Sequence, residues 1–119
     1  MTNLADLDRR AALTMGRREC PFHGLWIGRG KCKPNVKLCG PYSPTTNDHD
    51  RREFVQWVLR NEGWTLDLYV WSGAADATVG PGSSVDCGIG TATKAEYGPT
   101  YDLVAQVLAV LDAVEARND

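Results

Sequence analysis

The sequence predicts one small α/β domain spanning residues 1–119, a small antiparallel or mixed sheet flanked by helices as a three-layer α/β/α sandwich. Three observations carry that expectation. Residues 64–71 alternate Trp64, Leu66, Leu68 and Val70 with Thr65, Asp67, Tyr69 and Trp71, the two-residue period of a strand. Apolar stripes at helical spacing lie on both sides of that strand in the chain. The 119 residues, 43% hydrophobic and 24% charged, suit a single globular core that needs no staples.

Each element follows from local chemistry. Asn3 is placed to cap a first helix with Leu4, Leu7, Ala11 and Met15 on one face, and Gly16 to stop it. Residues 20–44 hold Gly24, Gly28, Gly30, Pro34, Gly40, Pro41 and Pro44 around the run Leu25-Trp26-Ile27, which reads as an irregular hairpin with little core of its own. A second helix is expected over residues 48–61, with Phe54, Val55, Val58 and Leu59 on its stripe, Trp57 beside it and Gly63 as its left-handed terminator. After the strand at 64–71, residues 77–79 read as a short strand and residues 80–84 as a turn or longer loop. Residues 85–89 and 93–97 are candidates for further short strands. Pro99 or Thr100 introduces the last helix, 100–116, where Leu103, Val104, Val107, Leu108, Leu111 and Val114 form a stripe thickened by Ala105, Ala109 and Ala113. That helix is expected to be the best packed.

Charge is unevenly placed. Residues 1–40 carry eight Lys/Arg and three acids, 8 − 3 = +5, and the rest carries 5 − 12 = −7, which together give the net −2. A basic head on an acidic body can be an anion-binding face, but composition alone favours complementarity within the molecule. No apolar run approaches the roughly 20 residues that span a bilayer, so no membrane partner is expected. The segment MTNLADLDRR lacks the apolar stretch of a secretory signal, and the expected compartment is the cytoplasm. There, cysteines serve as thiols or metal ligands.

The first candidate constellation is Cys20, His23, Cys32 and Cys39, spaced C-x2-H-x8-C-x6-C. Two ligands three apart sit on one side of a turn, and a later pair closes a tetrahedral site. A structural zinc would explain how a Gly/Pro-rich segment holds its shape; reduced thiols beside a surface histidine are the alternative. Cys87, between Asp86 and Gly88, reads as a buried or incidental thiol.

The second candidate is residues 42–48. Tyr42, Ser43, Thr45 and Thr46 crowd a helix N-terminus whose free N–H groups attract anions, with Lys33 and Lys37 upstream to neutralise phosphate. Ordinary capping by Asn47 or Asp48 competes with that reading. A third stretch, residues 80–94, holds Gly80, Gly82, Gly88 and Gly90 with Ser83, Ser84, Thr91 and Thr93, but lacks the order of a phosphate loop and reads as a mobile loop. No catalytic residue is nominated. His23 and His49 fall in no hydrolytic pattern, and Asp48, Asp50 and Glu53 suit the dipole of a helix start.

Several short motifs taken in order resemble the phage ABA sandwich domains, small proteins of phages and prophages. They are Leu13-Thr14-Met15-Gly16, Leu25-Trp26-Ile27-Gly28, the run Pro41-Tyr42-Ser43-Pro44-Thr45-Thr46-Asn47-Asp48, Gly63-Trp64, and the final helix with Ala105, Ala109 and Ala113. Pro44 and the residues before Asp48 depart from the family pattern, as does the lower alanine content of the last helix. The resemblance implies an α/β/α sandwich and expression in the cytoplasm of a bacterial host, and it implies no reaction. The expectation for function is a non-enzymatic accessory protein that binds a nucleotide-like anion or a host protein, as in counter-defence, and that could act as a homo-oligomer. The alternative is a zinc-stabilised nucleic-acid-binding accessory protein; a phosphoester-cleaving enzyme using the acidic residues is the weaker third.

Overall fold

The structure is a computed structural model, and it describes residues 3–28, 30–82 and 86–117. Helix α1 spans Leu4–Thr14 and α2 spans Asp48–Glu62. Three two-residue strands lie between them: β1 (Arg18–Glu19), β2 (Trp26–Ile27) and β3 (Cys39–Gly40). A meander of β4 (Thr65–Trp71), β5 (Ala74–Gly80) and β6 (Gly88–Thr93) follows. The single-turn helix α3 (Lys94–Tyr97) and a 3-10 turn (Gly98–Thr100) lead into α4 (Tyr101–Arg117). The fold is a small α/β fold with two three-stranded antiparallel sheets, in the orders β1-β2-β3 and β4-β5-β6.

The helix ends obey the capping chemistry. The Asn3 side chain accepts from the Ala5 N–H at 2.8 Å, and Asn47 accepts from the Asp50 N–H at 3.0 Å. Gly63 closes α2 in the left-handed region, at φ 70°. Of the strand expected over residues 93–97, Thr93 ends β6 and residues 94–97 turn out helical, because Thr93 caps α3 by accepting from the Glu96 N–H at 3.2 Å. Of the strand expected over residues 85–89, Val85 lies outside the described residues, as do Ser83, Ser84 and Arg29; Gly88 and Ile89 begin β6.

Three layers are present, and a helix occupies the middle. Helix α4 packs on β5 and β6, and α1 and α2 pack on α4 from the other side. The small antiparallel sheet with flanking helices that the sequence predicts is thus present, and among the described residues its helical cover lies on the α4 side. The cause is visible in α4, which buries Leu103, Val104, Val107, Val110, Leu111 and Val114 together with Ala105, Ala109 and Ala113, almost its full circumference. A helix apolar all round needs cover on two sides. On the sheet side that cover is Ala75, Ala77, Val79 and Ala92; on the other it is Leu7, Ala11, Ala12, Phe54, Val55 and Val58.

The contact of α4 with β6 sets the closeness of the layers. A Cβ on Gly88 would lie 2.2 Å from the Ala109 carbonyl oxygen, and one on Gly90 would lie 2.2 Å from that of Ala105. Two glycines at alternate strand positions face alanines four apart on the helix, so backbone meets backbone. The glycines read as part of a loop are the floor of the core.

Candidate metal centre

The small sheet β1-β2-β3 is a knuckle built around four donor side chains. Cys20 follows β1 directly, and its N–H donates to the Leu25 carbonyl at 2.7 Å. Gly24, at φ 71°, donates back to the Cys20 carbonyl at 3.1 Å and closes the turn that carries His23. Ile27 pairs with Cys39 across β2 and β3. A second turn, in which Lys33 and Val36 exchange hydrogen bonds of 3.0 and 3.1 Å, lies between Cys32 and Cys39.

Those turns bring the Sγ atoms of Cys20, Cys32 and Cys39 and a ring nitrogen of His23 within 4.8 Å of one another. The four residues lie close together and can bind a metal ion. Metal–sulfur and metal–nitrogen bonds of about 2.3 and 2.0 Å give tetrahedral edges of roughly 3.5–3.8 Å, so small side-chain rotations would close the shell. Backbone N–H groups already face the sulfurs: His23 N–H donates to Cys20 Sγ at 3.3 Å and Leu38 N–H to Cys32 Sγ at 3.2 Å. Such donors stabilise a thiolate and orient a ligand.

The electrostatics are those of crowded ligands. Burial pushes the Cys20 thiol up, but the Phe22 and His23 N–H groups, the His23 ring and Cys32 outweigh it and hold the pKa at about 6. Cys39 is pushed up to about 11 by burial and by the neighbouring Cys32 and Cys20 sulfurs. Several negative sulfurs in one small space repel, and a divalent cation removes that repulsion. Apart from the donors, the knuckle has one buried apolar side chain, Ile27.

The segment at residues 42–48 is put together differently from the anion site expected there. Asp8 of α1 reaches into it. Its Oδ1 accepts from the Thr45 N–H at 3.0 Å and the Thr45 hydroxyl at 2.8 Å, and its Oδ2 accepts from the Ser43 hydroxyl at 2.9 Å. Asp50 accepts from the Ser43 N–H at 2.9 Å. Thr45 is fully buried, and the Tyr42 hydroxyl donates to Met15 Sδ beneath the Arg17 guanidinium, 4.3 Å from the ring centroid. The donors meant for a ligand thus tie α1 to the start of α2, and two carboxylates stand where an anion would. Burial raises the Asp8 pKa against the lowering effect of the Thr45 and Ser43 hydrogen bonds. Asp8 was a contact the sequence pattern did not single out, although its position four residues before buried Ala12 puts it beside the inward face of α1.

Lys33 and Lys37 are exposed on the knuckle, as are Lys31 and Arg18, whereas Tyr42 is buried. The acidic residues at the start of α2 each take a separate partner. Asp48 holds Arg51 and Arg52, Asp50 holds Ser43, and Glu53 holds Arg17. His49 is exposed, 3.8 Å from Glu53. No helix among the described residues is long and apolar enough to cross a membrane. Comparison of the chain with protein-family models, with curated proteins and with solved structures found no match.

Proposed function

We propose that this protein is a non-enzymatic nucleic-acid-binding accessory protein whose knuckle is held by a structural zinc ion on Cys20, His23, Cys32 and Cys39. The observation that carries the reading is the convergence of those four donors in a segment with one buried apolar side chain outside the donor set. Three sulfurs and one imidazole nitrogen are a donor set that suits zinc, whose structural sites are closed and four-coordinate.

The charge of the knuckle supports the choice of partner. Residues 16–40 carry six Lys/Arg and one acid, 6 − 1 = +5, against 7 − 14 = −7 for the rest. Arg18, Lys31, Lys33 and Lys37 are exposed, and the Phe22 ring projects beside His23 with half of its surface open. Exposed cations neutralise phosphates, and an exposed ring offers a stacking platform to an unpaired base. The resemblance to phage ABA sandwich domains adds a setting to the proposal, the cytoplasm of an infected bacterium.

Fluorescence anisotropy of the zinc-loaded protein with a labelled single-stranded oligonucleotide tests the reading. Affinity should fall with salt, with a log–log slope of about −0.7 for each phosphate contact. Lys33→Ala with Lys37→Ala should flatten that slope, and Phe22→Ala should weaken binding without changing it. Absence of binding at low salt by protein carrying one zinc per chain would refute the nucleic-acid assignment and leave the metal site standing.

A further inference from the structure

We propose that the edge of strand β4 is a self-association surface, through which two copies of this chain join their sheets about a two-fold axis passing beside Leu68. Neither the metal site nor nucleic-acid binding enters this inference, which starts from the contrast between the two edges of the main sheet. In the order β4-β5-β6, β4 and β6 are the outer strands, and no strand among the described residues lies beyond either. The β6 edge is capped at Ile89, within the strand, since its N–H donates to Asp112 of α4 at 3.0 Å. Among the described residues no side chain hydrogen-bonds the β4 backbone along residues 65–70; at the hairpin end the Tyr101 hydroxyl donates to the Trp71 carbonyl at 3.0 Å.

Strand β4 also exposes apolar groups on both of its faces. Leu68 and Val70, on the helix side, are 37% and 52% exposed, and Tyr69 and Trp71, on the other, are 62% and 54% exposed. Helix α4 lies over β5 and β6 and leaves the far half of β4 uncovered. The usual protections of an edge strand are missing: Thr65–Trp71 has no lysine, no proline and a single charge, Asp67.

A second copy fits this edge because the strand is complementary to itself. β4 is seven residues long with Leu68 at its centre. Antiparallel pairing about Leu68 sets Leu68 against Leu68 of the partner subunit, and Leu66 against Val70 of the partner subunit. It sets Asp67 against Tyr69 of the partner subunit, and Thr65 against Trp71 of the partner subunit. Every position meets one of its own face, since opposed residues in a ladder share a side. The helix side becomes an unbroken row of Leu and Val, and the two Asp67 carboxylates never oppose each other. The register from Leu66 with Val79 to Val70 with Ala75 already puts that row level with the buried face of β5, so the joined sheet would continue the core. An isologous contact of this kind closes on itself and gives a dimer.

Sedimentation velocity on the full chain tests the proposal. At a protein concentration on the order of 100 µM, which populates a dimer of micromolar affinity, the expected mass is twice the 13.0 kDa of one chain. Leu68→Lys places two ammonium groups against each other at the axis and should raise the dissociation constant at least about 100-fold. Tyr69→Lys places each new cation against Asp67 of the partner subunit and should retain the dimer. Ile89→Lys, on the opposite edge, should also retain it. Both residues at 68 and 69 are partly or largely exposed, and far-ultraviolet circular dichroism of each variant verifies folding. A wild-type mass of one chain at every concentration would overturn the proposal. So would a dimer that Leu68→Lys leaves intact, or one that Tyr69→Lys breaks as fully as Leu68→Lys does.

Discussion

The knuckle at residues 18–40 and the seam between α4 and β6 hold their shapes by opposite means. In the knuckle, three two-residue strands surround Ile27 and four donor atoms, and little apolar area is removed from water. In the seam, Gly88 and Gly90 let the backbone of α4 come so near β6 that a single methyl group would collide with a carbonyl. On the proposed reading, one region depends on ligand chemistry, which a cation or a proton can change. The other depends on shape, which neither can reach. Their separation into two buried clusters, with Trp26 bridging toward the larger, lets one be altered with little effect on the other.

The largest expected effect comes from breaking the seam. Gly90→Ala puts a Cβ 2.2 Å from the Ala105 carbonyl oxygen and 2.5 Å from the Ala109 nitrogen, both of them backbone atoms of α4 that no rotamer change can move. The cost should reach or exceed the upper end of the roughly 1–3 kcal/mol found for overpacked cores. Urea unfolding followed by circular dichroism measures it. A change below about 0.5 kcal/mol, the level of an ordinary surface substitution, would show that the layers can separate freely. Zinc stoichiometry of any folded fraction should be unchanged.

The two regions also differ in how readily the chain announces them. The cluster of potential metal donors was legible because cysteine and histidine are rare and their chemistry needs no partner surface to be recognised. The helices were legible from their stripes and from Asn3, Asn47 and Gly63, which act locally. The seam was not, because Gly88 and Gly90 read as loop residues; glycine disfavours a strand by itself, and only the approaching helix makes it necessary. What covers each helix face was hidden for a related reason. Periodicity tells which face of a helix is buried and not what buries it, and α4, apolar nearly all round, fits the centre of the molecule as well as its flank. The run Thr93-Lys94-Ala95-Glu96 did carry a legible signal, a Thr three residues before a Glu, and the alternation beside it concealed a helix start.

A middle-sized effect is expected where the knuckle's neighbour meets the core, at Asp8. Asp8→Ala removes three acceptor contacts at once and leaves the Thr45 N–H and hydroxyl without partners at a fully buried position. An unsatisfied buried donor costs about 1–3 kcal/mol. Asp8→Asn keeps one carbonyl acceptor and should lose less. The measurement is again urea unfolding, and equal losses for the two variants would mean that the charge of Asp8, and not its acceptor geometry, joins α1 to α2.

The smallest effect on global stability, and the largest on the knuckle, should follow removal of the metal. Chelation or Cys32→Ser takes away the centre of a segment that shares little apolar surface with the main core. Amide hydrogen exchange should therefore rise across residues 20–40 while α4 and β6 keep their protection. Metal uptake should depend on pH with a definite sign, because a thiol must lose its proton to become a ligand. Cys39, held near 11 in the metal-free protein, still carries its proton at neutral pH, so binding expels it. Apparent affinity should then rise by at least about tenfold for each unit of pH between 6 and 8. Below about 6, Cys20 also takes up a proton, and affinity should fall more steeply. Competition with a chromophoric chelator across that range reads both slopes. A flat profile would mean that the ion sits outside the thiol cluster; a loss of protection in α4 on chelation would mean that knuckle and core are one cooperative unit, and that the separation between ligand-held and shape-held regions does not extend to their stability.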